Sequence, residues 1–136
     1  MSQENVDFMR DAFQAFAGDD PLALAGLLSP DVEWQAVEDP EPKRGLEGVL
    51  ESLGAWYEVW GETHIELEEL IDGGTSVVAV IKFHGRHVGS ESDVMQRFFQ
   101  VWTISGGKIT EFHEYRERDE ALEAVGLSEQ DAHADS

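Results

Sequence analysis

Five consecutive residues, Phe112-His113-Glu114-Tyr115-Arg116, bring a carboxyl, an imidazole, a phenol and a guanidinium together. Alternation along a strand sends Phe112, Glu114 and Arg116 to one face, and His113 and Tyr115 to the other. Turned inward beside aromatic rings, a glutamic acid loses the hydration of its charged form. Its pKa then climbs toward the range in which a carboxyl serves as general acid and base near neutrality. A salt bridge to Arg116 or Lys82 opposes that rise and makes Glu114 a structural ion-pair partner instead. Lys82 and His84 alternate in phase with Val78 and Val80. A free imidazole titrates near about pH 6.5, so His84 set against Glu114 forms a couple suited to proton transfer. At a strand end the same histidine simply reaches solvent. His84 and His87 spell H-x-x-H, but an odd offset points them to opposite faces of a strand, and no metal site is expected.

A second constellation could bind rather than react. Gln96, Phe98, Gln100 and Trp102 share one phase of their segment. Two glutamines interleaved with aromatic rings suit an apolar cavity that carries a few oriented polar groups better than they suit a dry core. Trp34, Trp56 and Phe112 offer further aromatic surface, either as core or as platform for a flat apolar ligand. The paired glycines at 73–74 and 106–107 are turn residues and do not cradle phosphate, because neither pair opens a helix.

These groups must be held by elements that the hydrophobic period lays out. Val6, Met9, Phe13 and Phe16 form one stripe of a helix with Ser2 as its cap, ended by Gly18. Asp20-Pro21 opens a second, short helix with Leu24, Leu27 and Leu28 on one face. Val32, Trp34 and Ala36 alternate as in a strand. Leu46, Val49, Leu50, Leu53, Trp56, Tyr57 and Trp60 then mark a third helix, closed by Gly61. From Thr63 to Arg116 the pattern is strand: Ile65 to Ile71, Val77 to Phe83, Asp93 to Ile104 and Lys108 to Arg116. Turns are expected at Asp72-Gly73-Gly74 and Ser105-Gly106-Gly107, with a looser connection at Gly85 to Ser90. Asp119 caps a last short helix bearing Leu122 and Val125, and 128–136 is a polar tail. The order describes one α+β domain, with helices gathered on one face of a long antiparallel sheet that curls into a cone.

With 136 residues, 41% of them hydrophobic, the chain can bury a genuine core as a single domain. It has no cysteine, so no disulfide framework and no thiol nucleophile. Nine basic against 29 acidic residues give a formal charge of −20, which repels nucleic-acid phosphates and anionic lipid. No basic segment precedes an apolar run and no run is long enough to span a bilayer, so a cytoplasmic location is expected.

Three strings carry a family resemblance: F-x-A-F-A-G-D-D-P-L-A-L at 13–24, L-L-S-P-D-V-E-W at 27–34, and V-W-T-I-S-G-G-K-I-T-E-F-H-E-Y at 101–115. Together with the element order they resemble the ketosteroid isomerase and SnoaL-like superfamily over residues 3 to 127, a cone shared with nuclear transport factor 2. The resemblance implies a cystatin-like roll, an antiparallel sheet with about three helices on its concave face. It also implies dimerisation through the outer sheet face, no cofactor, and a pocket between sheet and helices. In that family of isomerases a first-helix tyrosine and a strand aspartic acid form the oxyanion hole; here that helix has no tyrosine, and the strand position falls on Gln100. V-E-D-P at 37–40 is similar to the region of the isomerase base, which would be Asp39. Limonene-epoxide hydrolases and SnoaL-like cyclases both carry a last-strand carboxylate, the position of Glu114 here. The middle-strand positions of the hydrolases fall on Lys82 and His84. The expectation is therefore a small, largely apolar or aromatic molecule bound in the cone by Trp34, Trp56, Lys82, Gln96, Phe98, Gln100, Trp102, Phe112 and Arg116. Acid-base chemistry by Glu114 assisted by His84 would act on it. The same fold could instead be a non-catalytic binding or dimerisation module.

Overall fold

A computed structural model describes residues 2–16 and 24–128. The elements run α1 (Ser2–Phe16), β1 (Leu28–Gln35), β2 (Lys43–Arg44), α2 (Gly45–Val59), β3 (Trp60–Asp72), β4 (Ser76–His87), β5 (Asp93–Ser105), β6 (Lys108–Tyr115) and α3 (Arg118–Ala124). The helix expected from Asp20-Pro21, the Gly18 stop and the tail beyond Ser128 lie outside the described residues, although Leu24 and Ala25 are helical. One six-stranded sheet has the order β2-β1-β6-β5-β4-β3. The four long strands are joined as antiparallel neighbours, as their alternation and turns predict. The β1–β6 pair is parallel, so the sheet is mixed and not wholly antiparallel. The chain reaches it by crossing from β1 through α2 and three hairpin-linked strands, a connection that residue alternation does not reveal.

The sheet has two covered faces. On the inner face Val77, Ala79, Ile81 and Phe83 of β4 pack with Phe98 and Trp102 of β5 and Phe112 of β6. This surface is closed by Val6 and Met9 of α1 and Val49 of α2, as the helical stripes predict, and by Ala12, which lies outside the predicted stripe. On the outer face Val78, Val80 and Val101 are covered by Ala121 and Leu122 of α3. That corrects the expectation of all helices on one face. Arg118 ties α3 to β3 through Glu69 at 3.1 Å, and the N-cap of α3 is Glu117, not Asp119.

Three local expectations change. Trp60 opens β3 instead of closing α2, because its backbone is extended and its ring stacks on His87 at 4.1 Å. Leu46 and Leu50 of the predicted stripe are exposed. β4 continues through Gly85, which pairs with Thr63 and Val94, so the looser connection begins only after His87.

Among the described residues most ion pairs join at least one well-exposed partner, as in Lys43–Glu51 and Arg86–Asp93. Such pairs contribute little individually, whereas a −20 shell repels itself over the whole surface. Raising potassium chloride toward about 1 M, where the screening length falls to about 3 Å, is expected to raise the melting temperature. A flat or falling melting temperature across that titration contradicts this balance.

Candidate functional site

The loop after β1 folds on itself. The Asp39 N–H donates to the Ala36 carbonyl at 3.0 Å, and Asp39 Oδ2 accepts from the Ala36 N–H at 3.0 Å. The buried Ser52 hydroxyl of α2 donates to the same oxygen at 2.8 Å. Ser52 lies three residues after Val49 and four before Trp56, on the apolar stripe of its helix. A hydroxyl in that position was the available signal for a polar contact, and sequence reasoning passed over it. The turn so fixed aims the Val37 N–H at Glu114 Oε1, 3.1 Å away.

Glu114 sits near the end of β6, directly opposite Gln100 on β5. Gln100 Nε2 donates to Glu114 Oε2 at 2.8 Å, and Gln100 Oε1 accepts from Trp102 Nε1 at 3.1 Å. Burial raises the Glu114 carboxyl pKa above its ordinary value of 4.5, and the two N–H donors oppose that rise because they favour the ionised form. The carboxylates of Asp39 and Glu38 add to the rise. The folded protein thus holds this proton more tightly than the unfolded chain does. Glu114 contributes stability below about pH 4.5, and that contribution is lost as pH rises through the elevated folded value.

An open cleft of about 160 Å³ is walled by Gln35 to Val37, Asp39 and residues 113–115, Glu114 among them. Two acids share it, held differently. Asp39 uses one oxygen to fasten the turn, while Glu114 is gripped at both. Replacing Asp39 by asparagine keeps an acceptor for Ala36 and Ser52 but removes a charge. The Glu114 titration midpoint is then expected to fall toward the ordinary glutamate range. An unchanged midpoint in Asp39→Asn would show that the two carboxyls do not interact.

The expected site is only partly assembled. Glu114, Gln100, Trp102 and Phe112 come together on the inner face, with Trp34 stacked on Phe112 at 4.0 Å between centroids. Trp34, Trp102 and Phe112 pack on one another and are buried beneath the cleft instead of lining it. The Trp34 Nε1 has no hydrogen-bond partner among the described residues. Phe98 is core, and Trp56 packs on Phe83 and Trp60. Gln96 shares the inner phase but is exposed opposite Phe83.

His84 and Lys82 stand apart from Glu114. The row Glu114, Gln100, Ala79 crosses three strands on the inner face, and Lys82 and His84 lie three and five residues from Ala79. Odd steps put both on the outer face, where His84 approaches Glu66 at 4.0 Å and the charge of Lys82 acts on Glu68. A His84–Glu114 proton couple is therefore excluded by the thickness of the sheet. Arg116 lies past the end of β6 and pairs with Glu38 at the rim, not with Glu114. Asp39, placed in sequence only by its similarity to the isomerase base region, is the carboxyl that does share the cleft.

Outside this site, Glu33, Glu111 and His113 bring one ligand atom each within 4.8 Å of one another. Both oxygens of Glu33 are already engaged, one by His113 at 2.9 Å and the other by Arg44 at 3.3 Å. That arrangement is a ladder of polar contacts joining β1, β2 and β6.

The sequence profile of the SnoaL-like domain matches residues 9–112. No curated protein resembles the chain closely enough to count as a match. Among solved structures, an NTF2-like protein of unknown function from Burkholderia pseudomallei superposes with a TM-score of 0.74 at 20% identity, covering 90% of this chain and 98% of that one. TerC, co-crystallised with polyporic acid, gives 0.73 at 21% identity over 89% and 97% of the two chains. A protein of Jannaschia sp. CCS1, provisionally described as a SnoaL-like polyketide cyclase, gives 0.73 at 14% identity over 93% and 94%. At these identities the likeness establishes a shared fold, and activity has to be argued from the site.

Proposed function

This chain belongs to the SnoaL-like domain family, and from that premise we propose that it transforms a small organic molecule by proton transfer, with Glu114 as acid and base. One observation carries the reading: Glu114 lines a cleft while two N–H donors fix both oxygens of its carboxyl. A carboxyl held this way and raised in pKa can give a proton to an oxygen and take one from carbon or water. Isomerisation, cyclisation, dehydration and hydration all fit that chemistry, and none needs a cofactor. The cleft admits a small molecule, and its lining of Gln35, Asp39 and Glu114 favours one with polar groups. TerC with polyporic acid and the cyclase description of the Jannaschia protein agree with an organic ligand of this kind.

The test works whatever the natural product is. The protein is incubated in deuterated water with a panel of cyclic enones, β-hydroxy ketones and epoxides, and deuterium uptake or conversion is followed by mass spectrometry. Turnover of at least one compound is expected, falling by about 10²-fold or more in Glu114→Gln. Turnover undiminished in that variant overturns the assignment.

A second reading is favoured by the mutual packing of Trp34, Trp102 and Phe112, which leaves those rings no ligand-facing surface. On it the domain is a non-catalytic binding or dimerisation module. No conversion across the panel, with a ligand retained in native mass spectrometry, selects it. A homodimer in the cytoplasm is part of the proposal under either reading, and a monomeric mass at micromolar concentration counts against it. Among the described residues no helix is long and apolar enough to cross a membrane.

A further inference from the structure

Gln100 is buried, and both ends of its side-chain amide are committed. Its oxygen accepts from the Trp102 indole at 3.1 Å, and its nitrogen donates to Glu114 at 2.8 Å. An indole N–H donates and cannot accept, so it tolerates one orientation of the amide, oxygen toward Trp102 and nitrogen toward Glu114. The indole cannot swing aside to permit the other. It is almost fully buried, edge-on to Phe13 and Trp34 at 5.9 and 5.8 Å and against Phe112 at 4.5 Å.

The consequence falls on Glu114. Its partners, the Val37 N–H and Gln100 Nε2, are both donors. Neither can accept a proton, so when the carboxyl is neutral its O–H finds no acceptor in either partner, and Glu114 is one of the residues that line the cleft. A turned amide would offer its carbonyl to that O–H and keep the proton inside the protein.

We propose that Trp102, acting through Gln100, is a positioning residue that holds Glu114 by donors alone and so presents its acidic proton to the cleft. The group that Glu114 engages on a ligand is then a hydrogen-bond acceptor, such as a ketone, quinone, ether or epoxide oxygen. The inference rests on the reading of Glu114 as the proton-transfer group, but its test does not require turnover.

The experiment is a carbon-detected NMR titration of the Glu114 side-chain carboxyl in the full-length wild-type protein and in Trp102→Phe. The variant keeps a ring but removes the indole donor, which frees the amide to turn and accept from protonated Glu114. Asp39 and Glu38, the charged groups that act on this carboxyl, are the same in both proteins. The Glu114 midpoint is expected to rise by about half a pH unit or more, because a hydrogen bond to the neutral form disfavours ionisation. An unchanged or lowered midpoint in folded Trp102→Phe overturns the proposal. Should that variant fail to fold, the wild type still decides. Its Gln100 amide proton signals must move with the Glu114 midpoint, and flat signals place the amide nitrogen elsewhere and overturn it. If turnover depends on Glu114 but the midpoint ignores Trp102, the lock falls and the function stands. If the midpoint shifts and no compound is converted, the reverse holds.

Discussion

Glu114→Gln is expected to lose stability as well as turnover, and adding Gln100→Glu is expected to restore the larger part of the stability but none of the turnover. The single variant has one acceptor oxygen for two donors, the Val37 N–H and Gln100 Nε2. Whichever way the new amide turns, an NH2 group meets a donor. A buried mismatch of this kind costs about 1–3 kcal/mol. Flipping Gln100 only transfers the conflict to the Trp102 indole. The double variant restores all three contacts. The carboxylate introduced by Gln100→Glu accepts from Trp102 and from the amide introduced by Glu114→Gln, and the oxygen of that amide accepts from Val37. The carboxyl now stands one strand further in, at a position that does not line the cleft. Urea unfolding of the three proteins reads stability, and the deuterium assay reads turnover. The pH dependence gives an independent sign. The wild type's advantage over Glu114→Gln is expected to be largest below about pH 4.5 and to shrink as pH rises through the elevated Glu114 value. A single variant as stable as wild type, or an active double variant, contradicts the network described.

Gly85→Ala is the second substitution expected to have a large effect, far from the cleft. An added Cβ would collide with Phe83 Cζ and lie 2.7 Å from Phe83 Cε1 and 2.8 Å from Trp60 Cε3. A ring at the end of a flexible side chain can often give way, but Phe83 is 1% exposed and wedged against Trp56 and Trp60 at 4.9 and 4.8 Å. The glycine is required because β4 must let these rings fold back over its own backbone where α2 meets β3. Overpacking here is expected to cost about 1–3 kcal/mol. Phe83→Leu, destabilising alone, should recover part of that loss in the Gly85→Ala background, a coupling visible only because the two groups touch. Gly54 is the control: a Cβ there meets nothing within 4 Å, and alanine in a helix is favoured by about 0.5–1 kcal/mol. Equal thermal stability of Gly85→Ala and wild type would contradict the packing.

The contrast between these positions explains what could be read from the sequence. Helical stripes and strand alternation placed α1, β1, α2, the four long strands and α3 in order because each is a local period, whereas the two-residue β2 is too short to show one. Gly106 and Gly107 adopt the positive φ angles that a tight hairpin needs. Alternation also placed Phe112 with Glu114 and Gln100 with Trp102 on shared faces. It failed between strands. Every residue from Val77 to Ile81 is buried, one phase under α1 and α2 and the other under α3, so the pattern of β4 does not say which phase faces inward. Lys82 and His84 followed the wrong phase for that reason. Asp39 and Val37 escaped for another: a loop carries no period, and their role comes from a turn closed by side-chain contacts to Ala36 and Ser52. The −20 charge, prominent in composition, marks the surface and does not single out Glu114, which stands apart by its burial.

The most direct test of Glu114 as the protein's acid-base group is the midpoint of its own carboxyl, read by carbon-detected NMR in the wild-type protein across the acid to neutral range. The expected result is a Glu114 carboxyl titrating above the ordinary glutamate value of about 4.5, assigned by its absence in Glu114→Gln. A Glu114 midpoint at or below that value would mean a carboxylate held ionised by its two donors, and would contradict the account.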